Sequence, residues 1–496
     1  MTRSHPLLYE INTRCWLRRL ARQQRRPVTL ADVPAAEFDR WRRLGFTHLW
    51  LMGVWAAGPR AQHKALAALR QRLHYSEVLP DWQPEDVPGS PFAIGDYKVP
   101  HALGGEAGLA QFRAALHARG LKLLLDFVPN HLGLDHRWLS ERPDLFVRSP
   151  EPRPGAFRRQ TRLGPCWLAH GKDPYFPPWT DTAQLDYRRP ATRAAMTALL
   201  RGLAHQCDGV RCDMAMLLLN DVFRRTWDSF PCSEPAPDSE FWGQAIPTVK
   251  DAFPDFLFLA EAYWGLEPRL QELGFDYAYD KVLYDKLVAR DAAGAQRHLL
   301  DLPPRVLAAG AHFLENHDEP RIASLLSPAE HGAAALVILG LPGLCFLHQG
   351  QLSGAQIRVP VQLARRPAEP AQPAIEALYE RLLTTLPGTA VGRGEGKLPV
   401  PRAAWPENPT ARSFILAQWQ AGPPDFDLVA VNLARHRSQC YAPLDLPGLA
   451  ACQWLLDDLL SRERYLRDGP DLLRQGLYLD LPAHGVCLFH AQPAGE

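Results

Sequence analysis

The run Phe256-Leu257-Phe258-Leu259-Ala260 ends abruptly on a carboxyl group, Glu261, with Tyr263 and Trp264 just beyond. A wholly apolar segment of this length reads as a strand buried on both faces, as in a parallel sheet covered by helices. A carboxyl where such a strand ends lies at the edge of the core. Partial desolvation there raises its pKa toward that of a working proton donor. A strand-end glutamate in an ion pair is the plainer alternative. The balance tips because three other strand-like runs also end on polar groups. Leu121–Val128 carries Asp126 and runs into Pro129-Asn130-His131, Asp208–Met214 carries Arg211 and Asp213, and Ala311–Leu314 leads to Asn316-His317-Asp318.

The order of elements supports a barrel. A strand at Leu7–Ile11 is followed by a helical stripe (Phe38, Trp41, Leu44) closed by Gly45, and then by a strand at Thr47–Met52. Strand, helix and strand at this spacing form a βαβ unit. The excursion from Ala56 to Gly105 begins with a helix near Ala61–Leu73 and continues irregularly through Ile94-Gly95-Asp96-Tyr97; loops this long are usually functional. With further strands at Phe275–Ala278 and Gly343–Leu347, eight strands alternate with helices, which suits an α/β (β/α)8 TIM barrel enlarged by insertions. The expected division is 1–131 and 181–388 for the barrel, 132–180 for a small loop-rich insertion after the third strand, and 389–496 for a C-terminal β-sandwich. The Arg- and Pro-rich clusters near 18–27, 148–162 and 358–370 read as solvated loops.

Composition narrows the function. With 55 basic and 54 acidic side chains in 496 residues, nothing draws the chain to nucleic acid or an anionic membrane. No run approaches the ~20 apolar residues of a membrane span, and Met1–Tyr9 holds no long apolar segment, so no signal peptide is expected. Nine scattered cysteines without a CxxC pair signal neither zinc nor a disulfide framework, and a reducing cytoplasm is the expected compartment.

In a barrel of this kind chemistry sits at the C-terminal ends of the strands. Arg211 and Asp213, two apart, share one side of their strand, so the guanidinium favours an ionised Asp213. Glu261, in a more apolar setting, holds its proton longer. Two carboxyls with separated pKa values are what retaining glycoside hydrolysis requires. His131 and His317 are read as neutral donors to sugar hydroxyls, since no HxH or HExxH spacing supports a catalytic metal. Asp126 is read as structural support, with Arg211 or a backbone amide as its partner.

The series Asp126-Phe127-Val128-Pro129-Asn130-His131, Gly209-Val210-Arg211-Cys212-Asp213, Ala260-Glu261-Ala262 and Glu315-Asn316-His317-Asp318 resembles the sequence regions of the α-amylase family of retaining glycosidases and transglycosidases. The likeness extends to Gly95-Asp96-Tyr97, Leu185-Asp186-Tyr187 and Leu341-Pro342-Gly343. The resemblance implies Asp213 as nucleophile, Glu261 as general acid and then base, and Asp318 as stabiliser of the oxocarbenium-like transition state. It implies Arg211 as the group that orients Asp213, His131 and His317 as hydroxyl binders, Tyr97 as a ring stacked on the sugar, and Asp126 as support from behind. Asn130 matches a position that ligates structural calcium in many members, but the other ligands are not identifiable in 132–180, so no required cofactor is expected. The implied partner is an oligosaccharide or α-glucan.

One departure stands out. Met214-Ala215-Met216-Leu217 follows the nucleophile where many endo-acting amylases place a Lys-His pair, which leaves a more apolar acceptor side. Trp264 either lines that side or packs against the next loop. A glucanotransferase, a phosphate-using maltosyl transferase and a trehalose-forming isomerase share the chemistry. A non-catalytic barrel of the transporter-subunit kind would lack the carboxylate set, and an unrelated lyase would have no need of it.

Overall fold

The computed structural model describes residues 4–494, so the first three residues, where part of the expected barrel segment and of the stretch read for a signal peptide falls, and the last two of the expected C-terminal segment lie outside it. Eight parallel strands close into a barrel: β1 (Leu7–Asn12), β2 (His48–Met52), β3 (Lys122–Phe127), β4 (Gly209–Cys212), β5 (Leu257–Ala260), β6 (Tyr277–Tyr279), β7 (Gly310–His312) and β8 (Leu344–His348). Each strand pairs with its sequence neighbours, and β8 closes on β1 through Leu7 opposite Cys345. Alternation along the strands builds two cores. Leu8, Trp50, Leu124, Leu259 and Phe346 fill the interior, whereas Leu7, Leu49, Leu51, Leu125 and Phe258 face the surrounding helices. Both faces being covered, the strands read as continuous apolar runs, as the sequence predicts.

The cluster near 18–27 is not a loop up to residue 24. Helix α1 (Thr13–Gln24) buries Trp16, Leu17 and Leu20 and leaves Arg22 exposed, and the Asn12 side chain caps it by accepting from Cys15 N at 3.1 Å. The excursion after β2 holds two helices, α2 (Pro59–Ala67) and α3 (Leu69–Val78), broken where Ala68 takes an extended conformation. The cluster near 148–162 is also ordered. Arg148–Ser149, Gly164–Ala169 and Ala156–Thr161 form a three-stranded antiparallel sheet, and Arg158 and Arg159 conceal the strand by sitting in it. A neck joins this insertion to the barrel, His131–Gly133 pairing antiparallel with Thr182–Gln184.

At the C-terminus a six-stranded antiparallel sheet contains β9 (Phe414–Gln420), β10 (Phe426–Asn432), β11 (Gln453–Asp458) and β12 (Val486–Pro493). One face shares a core with a smaller three-stranded sheet through Phe414, Leu428, Cys440 and Leu479. The opposite face, with Ile415, Trp419, Val429 and Val431, joins the barrel's outer core. Its barrel partner is α4 (Pro328–Gly340), buried from His331 to Gly340, as expected of a helix apolar all round. Gly340 is small for a reason: a Cβ there would stand 2.9 Å from Val429 Cγ1, and its carbonyl accepts from Trp419 Nε1 at 2.7 Å. No helix among the described residues is long and apolar enough to cross a membrane.

Trp419 is thus one of the buried contacts between sheet and barrel. Trp419→Ala should cost about 3–5 kcal/mol, the usual range for a buried large-to-small change, read as a fall in the urea midpoint. An unchanged midpoint would mean that the sheet docks by other contacts.

Candidate active site

Arg211 is fully buried inside the barrel and joins two carboxyls. Its Nη1 lies 2.6 Å from Asp213 Oδ1 and its Nη2 lies 2.6 Å from Glu261 Oε2. Its Nε donates to the Tyr279 hydroxyl at 3.3 Å, and the faces of Trp50 and Phe92 lie 5.3 and 5.4 Å from the guanidinium carbon. The backbone aims both acids. Asp213 N donates to Phe127 O at 2.9 Å and Glu261 N to Cys212 O at 3.0 Å, so each carboxyl sits one residue beyond its strand. Glu261 also accepts from Met214 N at 2.7 Å and from the Tyr263 hydroxyl at 2.8 Å. Met214 and Trp264 both adopt left-handed φ angles, 44° and 66°, a strained choice for bulky residues and one that recurs at functional sites.

Burial raises the Glu261 carboxyl to about 7 against the pull of Arg211, with the nearby Asp213 and Asp318 carboxylates adding to the rise. Burial also raises Asp213 above its ordinary value, opposed by Arg211. The guanidinium therefore does not by itself keep Asp213 a strong acid, because desolvation at this depth outweighs it. Asp126 behaves as support. It accepts from Trp50 Nε1 at 3.0 Å and from Gly53 N at 2.7 Å, and Gly53 has a left-handed φ of 77° with Pro91 2.9 Å from where a Cβ would stand.

His317 departs from expectation. Its Nδ1 is 2.6 Å from Glu10 Oε1 and its Nε2 is 3.0 Å from Asp318 Oδ2. Burial pushes the imidazole down, but Asp318 and Glu10 together hold it well above its ordinary value, so it is a cation and not a neutral donor. Desolvation in the cleft pushes the Asp318 carboxyl up, yet His317 brings it down to about 2. The Asp318 backbone is fixed as well, its N–H donating to Asn316 Oδ1 at 2.9 Å and its carbonyl accepting from Arg358 Nη1 at 2.7 Å. His131 is neutral, as expected, burial lowering it to about 4.

Asp213, Glu261, Asp318 and His131 all line one cavity of about 430 Å³. Arg211, Asp126 and His317 stand behind it. Tyr97 is only 8% exposed; its ring packs on Trp55 and its hydroxyl donates to Val128 O at 3.1 Å and accepts from Val128 N at 2.9 Å. It thus braces the end of β3, and Phe92, which stacks on His317 at 5.1 Å, lines the wall where a Tyr97 platform was expected. Trp264 is 41% exposed and meets the exposed Tyr175 edge-on at 4.9 Å. Sequence reasoning missed Glu10, Phe92 and Trp179. The one available signal was Glu10, a lone carboxylate inside the apolar first strand.

Asn130 does not fit a calcium ligand. Its Oδ1 and its carbonyl both accept from Gln184 Nε2 at 2.9 Å, so an amide donor occupies the place a cation would need. Among the described residues no group of three or more His, Cys, Asp or Glu side chains is placed to hold a metal ion. Dialysis against a chelator should leave both the melting midpoint and the activity unchanged, and a calcium-restored loss of either would contradict this reading.

The family model for the α-amylase catalytic domain matches residues 38–362. Among curated proteins the chain is 26% identical over 306 residues to α-amylase MalA of Haloarcula japonica, covering 59% of this chain and 42% of that one. It is 30% identical over 263 residues to the α-1,4-glucan:maltose-1-phosphate maltosyltransferase of Rhodospirillum rubrum, covering 51% and 31%. The match thus spans less than half the length of either relative. In fold it is similar to the maltogenic α-amylase AmyB of Thermotoga neapolitana, with a TM-score of 0.68 at 17% identity over 99% of this chain and all of that one. The chain belongs to the α-amylase family of glycoside hydrolases and transglycosidases.

Proposed function

We propose that the protein breaks α-glucosidic bonds of oligosaccharides or glucans with retention, by double displacement at Asp213. The carrying observation is the shared guanidinium of Arg211: one fork can bridge only near-neighbour carboxyls. Retention needs a separation of about 5–5.5 Å, whereas inversion needs room for a water at about 6.5–9.5 Å. Asp213 acts in its ionised form, paired with Arg211, and attacks the anomeric carbon as Glu261 gives its proton to the departing oxygen. The β-glycosyl ester on Asp213 is then opened by an acceptor hydroxyl whose proton passes to Glu261. Asp318, kept ionised by His317, faces the positive charge that develops on the sugar ring. The relatives, an α-amylase and an α-1,4-glucan maltosyltransferase by name, support a glucan substrate. The scattered cysteines, none of them in a CxxC pair, suit a reducing cytoplasm.

Transfer to a sugar acceptor is the second reading. The turn Ala215–Leu218 after the nucleophile is buried and apolar, and the exposed Trp264–Tyr175 pair, three residues beyond Glu261 in the chain at Trp264, offers rings on which an acceptor sugar can stack. Chromatography of products from maltose, maltotriose, trehalose and soluble glucan, with and without phosphate, separates hydrolysis, transfer and isomerisation.

On the substrate so found, Glu261→Gln should lower kcat by about 10²–10⁴-fold, and Asp213→Asn should reduce it to background. Turnover intact in both variants would refute the roles. The pH profile follows from the raised carboxyls. Glu261 must be protonated to act, so kcat/KM should fall as pH rises through about 7. Asp213 must be ionised, so the acid limb should lie above the ordinary aspartate value. A flat profile through pH 7 would contradict the assignment.

A further inference from the structure

We propose that the α2–α3 hairpin closes the cavity on the side away from the leaving group, making this a site for the end of a sugar chain rather than its interior. The inference rests on the reading of Glu261 as proton donor to the departing oxygen. In the closed barrel β1 stands diametrically across from β5, the strand that delivers Glu261. The leaving group lies beside the acid, so whatever stands over β1 faces the sugar that stays on the enzyme.

A built wall stands there. The hairpin after β2 and the segment after β8, on the two sides of β1, share a small apolar core of Tyr75, Val78, Leu79, Val87 and Leu363. An ionic latch ties them. Arg365 reaches Asp81 Oδ2 at 3.0 Å and Asp86 Oδ2 at 2.8 Å, and Arg18 on α1 reaches Asp86 Oδ1 at 2.7 Å. Ala364 N donates to Asp86 O at 2.8 Å, and Arg14 Nη1 to Gly89 O at 2.9 Å. The cluster 358–370 is thus part of a latch and not a free loop.

The wall turns polar groups to the cavity that holds the three carboxyls: Lys64 and Gln71 from the hairpin and Gln362 from the segment after β8 line it beside Asp213 and Asp318. A terminal sugar has one free hydroxyl that an interior sugar spends on its next glycosidic bond. An ammonium and two amides can bond that hydroxyl, and a site with such groups rejects a ligand that cannot satisfy them. The cavity, about 430 Å³, is also at the small end of the range for ligand sites.

The test compares two chromogenic malto-oligosaccharides of equal length, one with a free non-reducing end and one whose terminal 4- and 6-hydroxyls are blocked by an acetal. The free substrate should be cleaved at least about a hundredfold faster. Lys64→Met should raise KM for the free substrate more than it lowers kcat, and Arg365→Ala should narrow the ratio between the two substrates by loosening the wall. Should Arg365→Ala fail to fold, because it leaves the buried Asp86 carboxylate with Arg18 as its one cationic partner, the wild-type ratio still decides. Equal rates on the two substrates would overturn the closed end while leaving the glycosidase reading intact. No cleavage of either, alongside no turnover of any α-glucoside, would overturn the glycosidase reading and this inference with it.

Discussion

A guanidinium with no exposure to water is untenable unless its charge is answered, and the mouth of this barrel is organised around answering Arg211. Removing such a group from solvent costs several kcal/mol, recovered only by near-ideal geometry and full hydrogen bonding. Arg211 finds Asp213 and Glu261 at 2.6 Å each, the Tyr279 hydroxyl, and the faces of Trp50 and Phe92. Those partners come from β2, β6 and the ends of β4 and β5, with Phe92 from the excursion between β2 and β3. Only closure of the sheet brings them to one point. The pairing that makes the arginine tolerable also draws the two carboxyls together in a desolvated place, where their pKa values rise.

A second charged chain runs beside the first. Glu10 on β1 holds His317 as a cation, and His317 keeps Asp318 ionised. The two chains set opposite states on neighbouring acids: Glu261 titrates at about 7 and Asp318 at about 2. That contrast, of one protonated donor and one permanent anion facing the same cavity, follows from burial and partners and not from residue type.

Much of this was legible in the sequence because parallel strands buried on both faces leave continuous apolar runs, and because polar residues at their ends stand out against them. Asp213, Glu261 and Asp318 were readable for that reason. Other parts were hidden by the same logic in reverse. Helix α1 carries an apolar stripe of only three large residues amid arginines, so its composition resembled a loop. In the sheet at 148–169 the strand Ala156–Thr161 mixes half-buried and exposed positions and gives no apolar run. The charge on His317 comes from its neighbour Asp318 and also from Glu10, 307 positions away, a pairing no local pattern reveals. Tyr97 was expected on the cavity wall, but its hydroxyl satisfies the backbone of Val128 at the end of β3, and Phe92 lines the wall instead.

The central claim is that Asp213, seated on Arg211, is the atom-bearing nucleophile of a retaining reaction. The most direct measurement is mass spectrometry of the protein after reaction with a 5-fluoro-α-glucosyl fluoride, which slows both steps and lets the ester accumulate. The account predicts one added fluoroglucosyl group, mapped by peptide sequencing to Asp213. A label on another residue, or the absence of any ester from an enzyme that turns over its substrate with inversion at the anomeric carbon, would contradict it.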